Sequence, residues 1–306
     1  MNPLFLPFPD GRDLAERLAE RFGGEVCPAT LSRFPDGETY VRIDGPVFLK
    51  DVLVVARLDR PDEKFLPLSY LAATARDLGA NRVGLIAPYL PYLRQDRRFQ
   101  PGESVTSHHF ARLVSSTFDW LATVDPHLHR IPSLGNVYTI PVRVASSAPA
   151  IARWIAANVE RPFVLGPDAE SAAWTARVAE AAGVPHAAFE KTRRGPDDVA
   201  IRIPDLSAHR DRTPVLVDDI IATGRTMVES VRGLLDLGFP RPVCIGVPAI
   251  FAGDAWQVLR AAGPAAIVTT NTIPHPTNAI DVTEFMEKTL SPVTRSMPRP
   301  TATTPS

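Results

Sequence analysis

One segment in the second half of the chain reads Val215-Leu216-Val217-Asp218-Asp219-Ile220-Ile221-Ala222-Thr223-Gly224-Arg225-Thr226-Met227. Its apolar start is typical of a buried parallel strand, and apolar side chains recur at helical spacing after Thr226. The segment therefore predicts a strand, a loop and a helix. At such a junction the backbone N–H groups and the dipole of the helix favour an anion. Because Thr223 and Thr226 add hydroxyl donors around Gly224, the loop is predicted to bind a phosphomonoester.

Two adjacent acids, Asp218 and Asp219, precede the predicted anion site. Carboxylates beside a phosphate repel it unless they face another part of the ligand. A sugar phosphate resolves this conflict, because ribose hydroxyls donate to carboxylates while the phosphate lies among the N–H groups. The alternative is an acidic strand end that caps a helix, with Thr226 as an ordinary cap residue.

This order of residue types resembles the loop that binds phosphoribosyl diphosphate (PRPP) in type I phosphoribosyltransferases and ribose-phosphate pyrophosphokinases. The resemblance implies that Asp218 and Asp219 bind the hydroxyls of ribose 5-phosphate. It also implies a phosphate-binding role for Ala222, Thr223, Gly224, Arg225 and Thr226.

Length and composition indicate a soluble globular protein with two domains. The chain has 306 residues, of which 45% are hydrophobic and 22% charged. Its formal net charge of -1 gives no reason to expect nucleic acid or a membrane as a partner. Cys27 and Cys244 lack metal-ligand spacing and are expected to be buried thiols. With no predicted signal peptide or membrane span, the expected location is cytoplasmic.

The two halves of the chain repeat one another. Apolar runs alternate with amphipathic segments throughout, which is typical of the α/β class. The strand-helix-strand unit that starts at Val52 recurs from Val215, shifted by roughly 160 positions. Where the second copy has its acidic pair and glycine loop, the first has Ala56-Arg57-Leu58-Asp59. The alternative is that any two such units look alike at this level.

We therefore expect two tandem type I phosphoribosyltransferase-like domains, each a mainly parallel sheet flanked by helices. The predicted domains are residues 1–145 and 146–290. The tail, residues 291–306, is rich in Pro, Thr and Ser and is expected to be disordered.

A turn between two predicted strands reads Arg33-Phe34-Pro35-Asp36-Gly37-Glu38. By composition it is a plain hairpin turn, because Pro-Asp-Gly favours one. It also resembles the turn with which ribose-phosphate pyrophosphokinases clasp the adenine of ATP, commonly from a neighbouring subunit. On that basis Phe34 stacks on the base, Gly37 allows the turn, and Asp36 and Glu38 accept from the amino group or order the loop.

A basic segment, Tyr89 to Phe99, follows a predicted strand at its carboxyl end, where open α/β sheets bind ligands. Guanidinium groups match phosphate oxygens bidentately, which favours Arg94 and Arg97 as ligands of a polyphosphate. The alternative is a solvated run of charges paired with Glu103. The resemblance implies that Arg94 and Gln95 bind ATP.

Two further strand ends resemble the magnesium-binding elements of the family. His127, in Asp125-Pro126-His127-Leu128-His129, corresponds to the histidine that meets the Mg²⁺ of MgATP, and Asp168 to an acid that serves a second metal or the ribose. The chain departs from the family pattern at Pro126 and His129, and at Ala169-Glu170-Ser171 where many members have glycines. Without the resemblance, His127 is a hydrogen-bonded structural residue and Asp168 a helix cap.

The segment Glu190-Lys191-Thr192-Arg193-Arg194-Gly195-Pro196 predicts a mobile flap, because a Gly-Pro exit follows the basic residues. A basic surface loop is the alternative. The family carries Lys-x-Arg in a flap that closes over the transferred diphosphate. The resemblance therefore assigns Lys191 and Arg193 to catalysis, and Arg193 also to binding of ribose 5-phosphate.

Together, these motifs span about residues 3 to 290 in the family's order, so the chain is identified as a member of the ribose-phosphate pyrophosphokinases. Phe-Pro-Asp-Gly-Glu and Glu-Lys-Thr-Arg are closer to archaeal-type members. The implied reaction is transfer of diphosphate from MgATP to ribose 5-phosphate, in a homodimer or larger homo-oligomer. A phosphoribosyltransferase and a catalytically silent regulatory subunit are the alternatives.

Overall fold

The computed structural model describes residues 3–193 and 199–296. The elements of the first half are β1 (Leu4–Pro7), α1 (Arg12–Phe22), β2 (Glu25–Val26), β3 (Ala29–Arg33), β4 (Thr39–Ile43), β5 (Asp51–Val55), α2 (Pro61–Asp77), β6 (Arg82–Ile86), α3 (Thr106–Thr117), β7 (Trp120–Val124), β8 (Val142–Ala145) and α4 (Ala148–Asn158). Those of the second half are β9 (Pro162–Gly166), α5 (Ala172–Ala182), β10 (His186–Ala188), β11 (Glu190–Arg193), β12 (Val199–Arg202), β13 (Thr213–Asp218), α6 (Arg225–Asp236), β14 (Val243–Gly246), α7 (Ala255–Ala261), β15 (Ala266–Thr270), β16 (Asn278–Ile280) and α8 (Thr283–Ser296).

The two halves form parallel sheets of the same topology. The strand order is β2-β1-β5-β6-β7-β8 in the first sheet and β10-β9-β13-β14-β15-β16 in the second. Each sheet is a duplicate of the other in order and direction, which confirms the predicted tandem α/β fold. The central strands are continuous apolar runs because helices cover both faces of each sheet.

Each half also carries an antiparallel hairpin outside its sheet. In the first, Arg33 pairs with Thr39 at the end of the β3–β4 ladder. In the second, Arg193 pairs with Val199 at the end of the β11–β12 ladder. The adenine turn and the catalytic flap predicted from the sequence are therefore equivalent elements of the repeat. Residues 194–198 of the flap lie outside the described residues.

The final helix of each half packs on the opposite half. Helix α4 lies against α5, whereas α8 lies against α1, β7 and β8. One hydrophobic core consequently includes side chains of both halves, among them Leu14, Ile86, Val217 and Met286. The predicted division at residue 145 stays a prediction. Helix α8 continues to Ser296, six residues into the predicted tail, because composition alone does not show how far a packed helix continues.

The state of the two cysteines and the absence of a membrane span were also predicted from the sequence. Cys27 and Cys244 are both free and buried, which confirms the predicted buried thiols. Across residues 3–193 and 199–296, every helix is too short or too polar to cross a membrane.

Asp281 anchors α8 to the first half. Its Oδ1 accepts hydrogen bonds from the Thr283 N–H (2.8 Å) and from the Asn271 amide (2.9 Å), and its Oδ2 lies 3.1 Å from the Arg17 guanidinium. Burial raises the pKa of Asp281, but the bonds from Thr283 and Asn271 and the charge of Arg17 outweigh it, so the pKa lies below its usual value. The ionised form is therefore the one that the folded protein stabilises.

We expect Asp281→Ala to destabilise the protein by about 1 kcal/mol at pH 7, the usual cost of a lost helix cap, which lowers Tm by about 2–4 °C. A depressed pKa contributes stability above the ordinary carboxyl pKa, and this contribution is lost as the pH falls through the folded value. The difference in Tm between wild type and mutant should therefore shrink below pH 3.8. Asp281→Asn keeps an oxygen that can accept the Thr283 N–H, so it should lower Tm by less than Asp281→Ala does. A difference in Tm at pH 3 as large as the one at pH 7 would show that the charge of Asp281 does not contribute to stability.

Candidate functional site

A cavity of about 290 Å³ lies where the carboxyl ends of β9 and β13 face the first half of the chain. Its lining contains most of the residues that the sequence predicted for sugar phosphate and metal. They are His127, Asp168, Asp218, Asp219, Ala222, Thr223, Gly224, Arg225 and Thr226, and Arg94, which was predicted to bind ATP, lines the cavity with them. Residues from distant parts of the sequence thus meet in one cavity, which we call the first cavity.

The loop between β13 and α6 has the geometry of an anion site. Gly224 has a φ of +72°, in the left-handed region that favours glycine, and α6 begins at the next residue. Gly224 precedes the helix without a side-chain cap, so the first N–H groups of α6 are left for a ligand. Backbone hydrogen bonds from Phe251 to Ile221 (3.2 Å) and from Ala252 to Ala222 (2.9 Å) fix the loop in place.

Three carboxylates concentrate negative charge beside this loop. Burial raises the pKa of Asp218 well above its usual value, and the charges of Asp219 and Asp168 raise it further. Such a cluster is stabilised by hydroxyl donors or by a cation. Among the described residues, however, no group of three or more histidines, cysteines and acids is arranged to hold a metal ion by itself.

His127 reaches the second half from the end of β7. Its Nδ1 lies 2.9 Å from Oδ2 of Asp219, and this hydrogen bond raises the pKa of His127 although burial opposes the shift. The chain turns towards the cavity at Asp125, which has a φ of +31°. The carboxylate of Asp125 accepts the N–H and the hydroxyl of Ser147, both at 2.6 Å. Sequence reasoning had given Asp125 no role.

Asp168 orders its own loop and also lines the cavity, but it does not cap α5, which begins at Ala172 after the N-cap residue Ser171. Its Oδ1 accepts the N–H groups of Glu170 and Ser171, both at 3.0 Å. Glu170 in turn lies 2.9 Å from Nε2 of His129. His129 and Glu170 both line the first cavity, and sequence reasoning had not paired them.

A second cavity, of about 550 Å³, adjoins the first and shares Arg94, His127 and Ile220 with it. Gln95 lines this second cavity, where its Oε1 accepts the hydroxyl of Thr106 at 2.9 Å. The rest of the lining comes partly from the same Tyr89 to Phe99 segment, which the sequence predicted to bind a ligand, and partly from separate loops. It includes Asp59, Arg60, Tyr89, Tyr92, Ala249, Ile250, Ile273 and Pro274.

The predicted adenine turn lines neither cavity. The ring of Phe34 is 49% exposed and meets Tyr40 edge-on, with 5.9 Å between the ring centroids. Asp36 accepts the N–H of Glu38 at 3.1 Å, so it orders the turn. Gly37 and Glu38 instead line a separate groove beside α2.

Arg97 also lies outside both cavities, with its guanidinium 4.9 Å from the centre of the Phe99 ring. Lys191 and Arg193 lie on β11, where their backbones pair with Ile201 and Val199 of β12.

Comparisons with known proteins agree with this arrangement. A family model described as the N-terminal domain of ribose phosphate pyrophosphokinase matches residues 7–117, and a phosphoribosyl transferase domain model matches residues 133–267. A ribose-phosphate pyrophosphokinase of Methanopyrus kandleri is 36% identical to this chain over 282 residues, which cover 91% of this chain and 95% of the relative. The enzyme of the same name from Sulfolobus acidocaldarius is 34% identical, over 89% and 94% of the two chains.

A solved structure supports the fold independently. The crystal structure of phosphoribosylpyrophosphate synthetase from Mycobacterium smegmatis matches with a TM-score of 0.84. The match covers 96% of this chain and 99% of the other, at 23% sequence identity. The relatives are mostly archaeal at 31–36% identity, which confirms the predicted likeness to archaeal-type members.

We expect Gly224→Ala to abolish binding of inorganic phosphate at the loop. A methyl group at this positive φ costs about 1–2 kcal/mol, and a relaxed backbone would turn N–H groups away from the cavity. Gly183→Ala is the matched control, since Gly183 has a φ of +66° at the end of α5, remote from the loop. Both variants should lose similar thermal stability, and calorimetry should detect phosphate binding only in the control. Equal phosphate affinity in the two would remove Gly224 from the anion site.

Proposed function

The chain belongs to the ribose-phosphate pyrophosphokinase family, and we propose that it transfers the β,γ-diphosphate of MgATP to the C1 hydroxyl of ribose 5-phosphate, which yields PRPP and AMP. The observation that carries this proposal is the pair of adjoining cavities with a shared wall. One has an anion loop beside carboxylates, and the other is lined by Arg94 and Gln95. Two substrates can therefore meet at that wall.

Ribose 5-phosphate is proposed to occupy the first cavity. Its phosphate accepts hydrogen bonds from the backbone of residues 222–226 and from the hydroxyls of Thr223 and Thr226. Its ring hydroxyls donate to Asp218 and Asp219. This orientation is supported by the raised pKa of Asp218, because a diol relieves crowded carboxylates whereas a second phosphate would aggravate them.

ATP is proposed to enter through the second cavity, with its phosphates at Arg94 and Gln95. Arg94 lines both cavities, so its guanidinium can bind the diphosphate before and after transfer. The turn from Phe34 to Glu38 lines neither cavity, and we propose that it clasps the adenine from a second copy of the chain. Arg97 could join the phosphates only after leaving the Phe99 ring.

Mg²⁺ is the proposed cofactor, with His127 and Asp168 as its protein contacts. The fit is supported by the carboxylate cluster of Asp168, Asp218 and Asp219, whose charge calls for a cation. Mg²⁺ prefers oxygen ligands and commonly takes several of them from substrate phosphates and water, which suits a protein shell of so few ligands. When bound, the ion neutralises charge on the phosphoryl oxygens.

The proposed reaction is one in-line displacement. The anomeric hydroxyl releases its proton to water, its oxygen forms a bond to the β-phosphorus as the bond from that phosphorus to the α-phosphate oxygen breaks, and AMP departs with that oxygen. No covalent enzyme intermediate is needed. Lys191 and Arg193 are proposed to neutralise charge on the transferred group when the β11–β12 hairpin closes, and Arg193 also contacts ribose 5-phosphate. Alignment of the two substrates is proposed to supply the remaining rate acceleration.

The single most direct experiment measures AMP released from ATP and ribose 5-phosphate with Mg²⁺. Release that requires ribose 5-phosphate, with PRPP formed in equal amount, supports the proposal. A phosphoribosyltransferase has no ATP site, so it would bind no ATP analogue in calorimetry. A silent regulatory subunit would bind both substrates and release no AMP.

We expect Lys191→Ala to lower kcat by about 100-fold or more with little change in affinity for ribose 5-phosphate, because a donor acting on the transition state is lost. Lys288→Ala is the control, since Lys288 is exposed on α8 and paired with Glu284. Steady-state kinetics and calorimetry give the two quantities. Wild-type turnover in Lys191→Ala would exclude Lys191 from the mechanism.

We expect the double variant Asp218→Asn, Asp219→Asn to lose ribose 5-phosphate binding while remaining folded. Neutral amides relieve the repulsion within the carboxylate cluster but are weaker acceptors for the diol. Calorimetry measures the binding and circular dichroism the fold, with the exposed Asp236→Asn on α6 as the control. Collapse of the circular dichroism signal would make the acids structural instead.

A further inference from the structure

A close pair of polar side chains crosses between the two halves at the first cavity. Nε2 of His129, in the segment after β7, lies 2.9 Å from Oε1 of Glu170, in the loop after β9. Both side chains line the cavity, next to the proposed metal contacts. The pair therefore connects the loop that carries His127 with the loop that carries Asp168.

The Glu170 end of the pair is tied directly to Asp168. The N–H groups of Glu170 and Ser171 both donate to Oδ1 of Asp168, and the Ser171 hydroxyl donates to the Asp168 carbonyl at 2.8 Å. The loop is thus a closed turn. An interaction that holds Glu170 in place therefore also holds the Asp168 carboxylate, because the Glu170 N–H donates to that carboxylate.

At the other end of the pair, the ring of His129 lies beside that of His127. The two imidazole rings lie nearly parallel, 29° apart, with their centroids separated by 6.2 Å. His127 itself bonds Asp219 at 2.9 Å. Two parallel links therefore run from the first half to the second, one to each loop that brings a carboxylate to the cavity.

We propose that His129 and Glu170 are positioning residues, which hold these two loops in register so that His127 and Asp168 face the same point in the cavity. The proposal rests on the proposed function, because its consequence is the alignment of the two substrates. Neither residue is among the proposed ligands of the substrates or of the metal.

The expected effect lies in alignment more than in stability. The Glu170 side chain is 55% exposed, and even a charged pair so exposed would add little to the free energy of unfolding. Alignment is far more sensitive, since a displacement of about 1 Å in a positioned group can cost up to about 100-fold in rate. We therefore expect kcat to fall while Tm remains nearly unchanged.

The test is a double-mutant cycle with His129→Ala, Glu170→Ala and the double variant. Each single variant should lower kcat about three- to tenfold. The kcat of the double variant should be no lower than that of the less active single variant, because either change breaks the same link. Glu170→Gln, which keeps an acceptor for His129, should recover most of the activity. His186→Ala and Glu180→Ala, both exposed in the same half, are the matched controls.

Hydrogen exchange supplies a readout that does not depend on turnover. Amides of residues 168–171 should exchange faster in both single variants, to the same extent as in the double variant. Effects on kcat that multiply in the double variant, unchanged exchange in the singles, or a matching loss of Tm would each overturn the positioning role. If the wild type releases no AMP but the exchange cycle is non-additive, the proposed function fails and the link between the loops stands.

Discussion

The reciprocal packing of the last helix of each half is the constraint on which the rest of the structure depends. Helix α4 packs on the second half and α8 on the first, so a single core joins two sheets that could otherwise separate. This exchange holds the carboxyl end of β7 against that of β13. His127 of one half can therefore bond Asp219 of the other. The candidate site depends on both halves, since each supplies part of the lining of the first cavity.

The two copies have diverged in the loop that follows their equivalent strands. The second copy keeps two acids and a glycine turn around open N–H groups. In the first copy Arg57 is buried, lies 2.6 Å from Asp13, and donates to the backbone oxygen of Asn271 in the second half at 3.4 Å. In the first copy, the guanidinium of Arg57 thus takes the place of a bound ligand. The first copy serves as the partner that contributes Arg94 and His127 to the cavities.

Local signals made much of this predictable from the sequence. Strand, acids, glycine and helix follow one another between Val215 and Met227, so the anion loop needed no tertiary information. The link between His129 and Glu170 arises only when distant segments fold together. The extent of α8 depends in the same way on its packing against α1. Sequence composition carries no record of such contacts.

The central claim is that one site, assembled from both halves, binds the sugar phosphate and the nucleotide side by side. A crystal structure with ribose 5-phosphate, Mg²⁺ and a non-hydrolysable ATP analogue tests it most directly. The account predicts the 5-phosphate about 3 Å from the backbone nitrogens of residues 223–226, the diol on Asp218 and Asp219, and the nucleotide phosphates at Arg94. Ribose 5-phosphate bound away from that loop, or nucleotide phosphates remote from Arg94, would contradict it.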